Sequence, residues 1–372
     1  MKKLAFIATG YIKESDGISV YLENILQNLV NMDIILDIYI PSTNKKLLEK
    51  RINSSQNKNI NFIEINSLGF LRFLELQIKL LKTKYTLIFF ANPMPIFFSF
   101  GKRVKVIHDL TIKQTPQYFS KKFHLYIDLL IYFMKYFDYK VGYISTQTKD
   151  DIKKFYNISE NKLVYFPNGI PSKVQKQTRP RDKEIEEKFK TNHLQIIVVG
   201  RINRSKGFDR IIKFLDFYEK NNTFEKFTLN IVGKQTDETK QLFKDKRYKN
   251  INLNFCGFVD DDRLNTIYKQ SHYCLFLSRN EGFGLPLVEA LWFKVIPLVS
   301  SLPVFKEILK DFKTFDNNTG YDKAILDFII KSYHDKTIQD EIFKNIETII
   351  KEQKNGYKLS AKNIKELLEK TS

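Results

Sequence analysis

The segment Ser278-Arg279-Asn280-Glu281-Gly282-Phe283-Gly284-Leu285-Pro286-Leu287-Val288-Glu289 carries the densest set of groups able to do chemistry. It follows an apolar run, Tyr273 to Leu277, that reads as a strand, and it opens a helical period near Leu285. A Gly-rich turn at a helix start leaves backbone N–H groups unpaired, and the helix dipole favours an anion there. Glu281 and Glu289 stand eight residues apart, one before the turn and one inside the helix. An ionised carboxylate is a pure acceptor, suited to the paired hydroxyls of a sugar or a ribose. Taken alone, the pattern equally describes a helix N-terminus with an ordinary surface Glu.

Three further groups invite chemistry. His108 ends an apolar run and is followed by Asp109 and a loop, which places it at the carboxyl edge of a parallel sheet, where ligands bind. The other four histidines have no such context. Asp260-Asp261-Asp262 resembles a metal-binding run, yet it precedes a helical stretch, where Asp is favoured as N-cap and in the first turn without any metal. Lys121 to Lys140 aligns Phe123, Tyr126, Leu130, Phe133, Met134 and Phe137 on one helical face beside Lys121, Lys122, Lys135 and Lys140. Such a helix can lie on a membrane surface, but the expectation here is a core-facing helix with a solvated side.

The elements that would hold these groups form two blocks. In the first, β-rich runs recur at 4–8, 34–40, 60–65, 86–90, 104–107, 141–144 and 163–166, with helical stretches such as 19–29 and 71–81 between them. In the second, strands at 194–199, 227–232, 251–255, 273–277 and 295–299 alternate with helices at 208–218, 238–243, 261–269 and 285–293. Alternating strands and helices predict parallel sheets covered on both faces. Pro167-Asn168-Gly169-Ile170-Pro171 and a polar stretch to about Arg181 mark a linker. Beyond Gly320 the chain reads as helices only. The predicted architecture is α/β, two Rossmann-like doubly wound domains facing each other across a cleft.

Composition sets the limits. The chain has 372 residues, 43% hydrophobic and 28% charged, which fits two globular domains and excludes a disordered chain. No run of about 18 uncharged apolar residues appears, so a spanning helix is not expected. The apolar run after Lys2-Lys3 is too short for a signal peptide and reads as a first strand. Two cysteines, Cys256 and Cys274, cannot build a disulfide framework, and a cytoplasmic setting is expected. Net charge is +19, shared as +10 up to Ile170 and +9 beyond. With no basic arm, zinc-finger spacing or RNP-like motif, a nucleic-acid partner is not expected. A dinucleotide oxidoreductase is excluded because no strand is followed by Gly-x-Gly-x-x-Gly.

The segment from Glu281 to Glu289 resembles the Glu-x7-Glu motif of retaining GT-B glycosyltransferases, family 4 in particular. The resemblance extends over nearly the whole chain. Val199-Gly200-Arg201 with Lys206-Gly207 resembles the first strand of that family's donor domain with its Arg and Lys, and Ile231-Val232-Gly233-Lys234 and Phe255-Cys256-Gly257-Phe258-Val259 resemble its next two strand ends. In the first block, Asp16-Gly17-Ile18-Ser19-Val20-Tyr21 resembles the loop that reaches the donor phosphates, and His108-Asp109-Leu110 and Tyr165 to Gly169 also fall where the family has them. Two departures stand out. Trp292-Phe293-Lys294 occupies the place of a Gly before the next strand, and Lys310 to Asp316 replaces a Gly-rich turn.

The resemblance implies a nucleotide-sugar-dependent hexosyltransferase that builds a surface polysaccharide, lipopolysaccharide or glycolipid. Arg201 and Lys206 would hold the donor diphosphate. Glu281 would contact the sugar hydroxyls, with Phe283, Gly284 and Leu285 lining the same pocket through their backbone. Glu289 would hold the ribose, Val259 would meet the nucleobase through its main chain, Gly17 would approach the phosphate, and His108 would lie beside the donor sugar. Residues 1–170 would form the acceptor-side domain and 171–354 the donor domain, with a helix over about 355–372 packing back on the first. No cofactor and no metal ion is implied, the nucleotide sugar being the donor substrate. The acceptor would be a glycan or a lipid-linked glycan; peripheral contact with the inner membrane face is left open by the basic aromatic stretch 121–140. Competing readings on the same fold are a non-catalytic nucleotide-sugar or glycan-binding module and a sugar-nucleotide epimerase.

Overall fold

A computed structural model describes residues 2–11, 16–53, 57–96, 98–316 and 320–371. The chain divides into two compact units, Met1–Ser172 together with Asn355–Ser372, and Lys173–Lys354.

The first unit is built on seven strands: β1 (Lys3–Ile7), β2 (Ile35–Pro41), β3 (Ile60–Ile65), β4 (Leu87–Phe90), β5 (Lys102–Ile107), β6 (Lys140–Tyr143) and β7 (Leu163–Tyr165). They pair in the order β3-β2-β1-β4-β5-β6-β7, every pairing parallel. Strands of a parallel sheet are covered on both faces and therefore read as unbroken apolar runs. In β4 all four residues, Leu87 to Phe90, are buried. The strand β5 departs from that rule, and from the expected start at Val104. Arg103 and Lys105 lie inside it, buried, because Asp138 sits 2.6 Å from Arg103 Nε and 3.3 Å from Lys105 Nζ.

The C-terminal helix Gly356–Lys370 closes this unit by packing on the helix Gly17–Leu29. Ser360 donates to the Pro167 carbonyl at 2.7 Å and Asn363 to the Tyr165 carbonyl at 2.8 Å. A Cβ on Gly356 would stand 1.8 Å from the Asn168 carbonyl oxygen, so only glycine permits this approach.

The helix Lys121–Phe137 corrects an expectation. Ser120 caps it, accepting from Phe123 N at 3.3 Å. Leu130, Ile131 and Met134 are buried, whereas Phe123, Tyr126 and Phe137 of the expected core face remain exposed. Asp128 sets the rotation: it lies 2.7 Å from Lys113 and accepts from Tyr156 Oη at 2.6 Å, which turns much of the aromatic face outward.

The second unit carries five strands: β8 (His193–Val199), β9 (Lys226–Val232), β10 (Ile251–Gly257), β11 (Tyr273–Phe276) and β12 (Ile296–Val299). Their order is β10-β9-β8-β11-β12, again all parallel. The order reverses between β8 and β11. The carboxyl ends of two such strands splay apart and leave the crevice in which open α/β sheets bind ligands.

Candidate active site

Two loops meet at that reversal. The loop after β8 turns at Gly200 (φ +139°) and runs through Arg201 to Gly207, whose left-handed backbone (φ +75°) opens the helix Phe208–Lys220. A Cβ on Gly207 would lie 1.9 Å from the Leu277 carbonyl oxygen, so glycine lets this loop press onto the end of β11. Arg279 fastens the contact, with its N–H donating to the Ser205 carbonyl at 3.0 Å and its guanidinium gripping Asp209 at 2.6 and 2.7 Å.

The consequence is the placement of Lys206. Its Nζ stands 2.7 Å from both carboxylate oxygens of Glu281, and Ser278 Oγ donates to Glu281 Oε1 at 2.8 Å. The cation and the carboxylate named in the sequence for different parts of a donor are thus each other's partner. Arg201, five residues before Lys206 in the same loop, is exposed, and its guanidinium pairs with none of the described residues. Three residues on, Gly284 (φ +97°) caps the helix Leu285–Trp292 without a side-chain acceptor, and Pro286 brings no N–H to its first turn. A Cβ on Gly284 would meet the Phe305 ring at 2.8 Å. The Phe283 side chain is buried, so this residue can face a ligand only through its backbone.

Glu289 faces a separate pocket of about 400 Å³, lined on its polar side by Lys173, Asp260, Asp261, Asp262 and Asn265. Tyr268 Oη donates to Glu289 Oε2 at 3.3 Å. Burial pushes the Glu289 carboxyl up from 4.5 to about 7; Asp261 adds to the rise, while Lys173 and the Tyr268 bond oppose it. Asp261 is held by Lys173 at 2.6 Å. Asp260 accepts from Arg263 N at 2.8 Å and caps the helix Asp261–Gln270. Val259 lies one residue before this rim and is half-buried.

In the first unit, Asp16 caps the helix Gly17–Leu29 by accepting from Ser19 N at 2.7 Å, and Gly17 is its exposed first residue. His108 follows β5. Its Nε2 lies 2.6 Å from the Ala91 carbonyl, and Tyr21 of the same Gly17–Leu29 helix meets the ring edge-on at 4.7 Å. A carbonyl can only accept, so Nε2 carries the proton and Nδ1 is left with its lone pair. Burial lowers the His108 pKa, against the opposing effects of the Ala91 bond, Asp109 and Asp16, which keeps the ring neutral near pH 7.

Of the ten residues named from sequence, Gly17 and His108 therefore lie on the first unit and the other eight on the second. Lys206 and Glu281 touch. Glu289 stands apart in its own pocket. Sequence reasoning missed Ser278, Lys173, Asn265, Tyr268 and Tyr21. Two of these left a signal: Ser278, three residues before Glu281 inside the same motif, and Tyr21, at the end of the run from Asp16.

Comparison with known proteins follows the same division. The profile for Glycosyltransferase Family 4 matches residues 15–173, and that for Glycosyl transferases group 1 matches residues 180–355. A Klebsiella pneumoniae protein described as an uncharacterized 41.2 kDa protein in the cps region is 24% identical over 220 residues, 56% of each chain. The O-antigen chain mannosyltransferase RfbU of Salmonella typhimurium is 27% identical over 177 residues, 47% of this chain and 45% of the relative. The chain thus spans about half the length of these curated relatives. Among solved structures, Anabaena Alr3699/HepE in complex with UDP-glucose superposes with a TM-score of 0.74 at 15% identity, covering 99% of each chain.

Proposed function

We propose, from the premise that this chain belongs to the group 1 glycosyltransferases of the GT-B fold, that it moves a hexose from a nucleoside-diphosphate sugar to a glycan or lipid-linked acceptor. The product class is a surface polysaccharide, lipopolysaccharide or glycolipid. The names of the relatives support this reading: one acts on O-antigen chains, and one is encoded in a cps region. The fold neighbour crystallised with UDP-glucose supports a nucleotide-sugar donor.

The observation that carries the proposal is the Lys206–Glu281 pair at the sheet reversal, with the exposed Arg201 in the same loop and the open helix start at Gly284 beside it. When the glycosidic bond breaks, its electron pair goes to a β-phosphate oxygen, and the diphosphate gains charge. Arg201 and Lys206 are fixed cations for that charge. Glu281 orients the sugar through its hydroxyls, and Glu289 accepts from the ribose once ionised. On the first unit, His108 is neutral and keeps its Nδ1 lone pair. Among the described residues no carboxylate stands as an evident covalent nucleophile, so transfer takes place on the face the leaving group departs from. The acceptor oxygen bonds to the anomeric carbon, its proton passes to the departing phosphate, and configuration is retained. Positive charge from Arg201, Lys206 and the helix start makes a divalent ion unnecessary.

A thermal-shift screen against nucleotide sugars tests the reading. A donor at 100 times its Kd should stabilise the protein by about 2.7 kcal/mol. The best donor should be consumed with retention when a glycan acceptor is added. No shift with any nucleoside-diphosphate sugar would refute the proposal.

A further inference from the structure

Among the described residues, sixteen of the eighteen exposed large apolar side chains lie between Leu68 and Phe137. They are not scattered. On the helix Leu71–Leu81 the residues Leu71, Leu74, Ile78 and Leu81, at helical spacing, are each 39–63% exposed. On the helix Lys121–Phe137 the residues Leu125, Leu129, Tyr132 and Tyr136 form a second stripe, each 46–66% exposed. An amphipathic helix normally turns such a stripe inward, and a monomer rarely leaves so much contiguous apolar surface in water.

The two stripes are joined. Phe98, 70% exposed, donates its N–H to Gln77 Oε1 at 3.2 Å, which ties it to the first helix. Arg103 lies within 3.4 Å of Ser99 Oγ and donates to the Phe137 carbonyl at 3.0 Å, which carries the surface on to the second.

Charge identifies the occupant. Residues 66–140 hold twelve Lys and Arg against four Asp and Glu, a net +8. Three of the four acids are engaged within the fold: Glu75 by Lys79 at 2.7 Å, Asp128 by Lys113 at 2.7 Å, and Asp138 by Arg103 at 2.6 Å. The free charge of the surface is therefore cationic, with Lys121 and Lys122 exposed at the start of the second stripe. A second copy of the chain would set this cationic face against itself, which opposes self-association through it. No helix among the described residues is long and apolar enough to cross a membrane. We infer that the helices Leu71–Leu81 and Lys121–Phe137, bridged by the segment 98–103, form one footprint that lies on the surface of an anionic lipid bilayer. The apolar stripes enter the headgroup boundary and the lysines meet lipid phosphates.

Co-sedimentation of the full chain with vesicles tests this. The protein should bind phosphatidylcholine:phosphatidylglycerol (3:1) vesicles and remain in the supernatant with phosphatidylcholine alone. The double variants Leu74→Gln/Ile78→Gln and Leu125→Gln/Leu129→Gln should each lower partitioning by at least about tenfold, because each removes two inserted side chains. Lys121→Glu/Lys122→Glu should lower it by at least about tenfold as well, through charge alone. This last pair alters no apolar residue, so it reads the footprint even where a stripe variant folds poorly. Three results would overturn the inference: no binding of the wild type to the anionic vesicles, equal binding to neutral ones, or sensitivity to only one of the two stripes. A lipid-free dimer that either stripe variant dissociates would overturn it too, by assigning the face to a second copy.

Discussion

Replacing Glu289 by Gln should stabilise the unliganded protein, and the gain should grow with pH. Burial raises the carboxyl of Glu289 from 4.5 to about 7. Between those values the folded protein holds a proton that the unfolded chain has released. The folded state is then penalised as pH rises: little at pH 4, more at each step, and fully once pH passes about 7. At about 1.4 kcal/mol per pH unit of separation, the penalty is about 0.8 kcal/mol at pH 5 and levels near about 3 kcal/mol above pH 7. Gln has the same shape, does not titrate, and offers an amide oxygen to Tyr268 Oη, which lies 3.3 Å from the native carboxylate.

Urea denaturation of both proteins without ligand, at unit steps from pH 4 to 8, reads the gap directly. It should open with pH in favour of Gln. A gap that is flat, or that favours Glu at high pH, would refute the assignment of the penalty to burial. Donor binding gives the opposite reading of the same group. Only the ionised carboxylate is a pure acceptor for ribose hydroxyls, so wild-type donor affinity should rise through pH 7 while that of the Gln variant stays level.

Two further substitutions probe the loop after β8. Lys206→Ala should lower kcat/KM by roughly 10²–10³, the loss seen when one preorganised charge-stabilising group is removed, and wild-type activity should survive excess EDTA; a loss below about fivefold, or rescue by Mg²⁺ after EDTA, contradicts the role. Gly207→Ala puts a Cβ 1.9 Å from the Leu277 carbonyl at φ +75°, so the loop must shift at a cost of about 1–3 kcal/mol; calorimetry should show a lower Tm together with a weaker donor-induced shift, and an unchanged Tm would deny the close approach.

What was legible in the sequence was local or repetitive. Parallel strands buried on both faces announce themselves as apolar runs, and the turn at Gly284 announces a helix start. What was not legible depends on partners distant in sequence. The strand β5 begins two residues before Val104 because Asp138, 35 positions after Arg103, neutralises two buried cations. The helix Lys121–Phe137 turns its aromatic residues outward because Lys113 and Tyr156 hold Asp128. The two departures from the family pattern have a backbone explanation. Lys294 and Lys310 stand where a Gly or a Gly-rich turn is usual, and both adopt positive φ, +55° in each case. Glycine takes such angles without strain, whereas lysine does not. At Lys294 ion pairing with Asp182 at 2.7 Å accompanies the strained backbone.

The pairing of Lys206 with Glu281 implies an exchange. Before a donor arrives, each group satisfies the other; the Glu281 side chain is 14% exposed, and pairing spares it an uncompensated charge. A nucleotide sugar brings replacements for both: phosphate oxygens for Lys206 and hydroxyl donors for Glu281. A nucleoside diphosphate brings only the first, and drawing Lys206 away would leave Glu281 with Ser278 as its remaining side-chain donor among the described residues, at 2.8 Å. The pair should therefore favour the sugar-bearing donor over the spent diphosphate, which helps product leave. Glu281→Gln frees Lys206 from its anion. It should abolish most transfer, weaken the sugar donor, and tighten the nucleoside diphosphate by about tenfold, a difference within the range of one charge-assisted bond. Calorimetric titration of both ligands against both proteins measures the two preferences. If Glu281→Gln weakens the diphosphate as much as the donor, Lys206 is not being held in reserve, and its contact with Glu281 is structural.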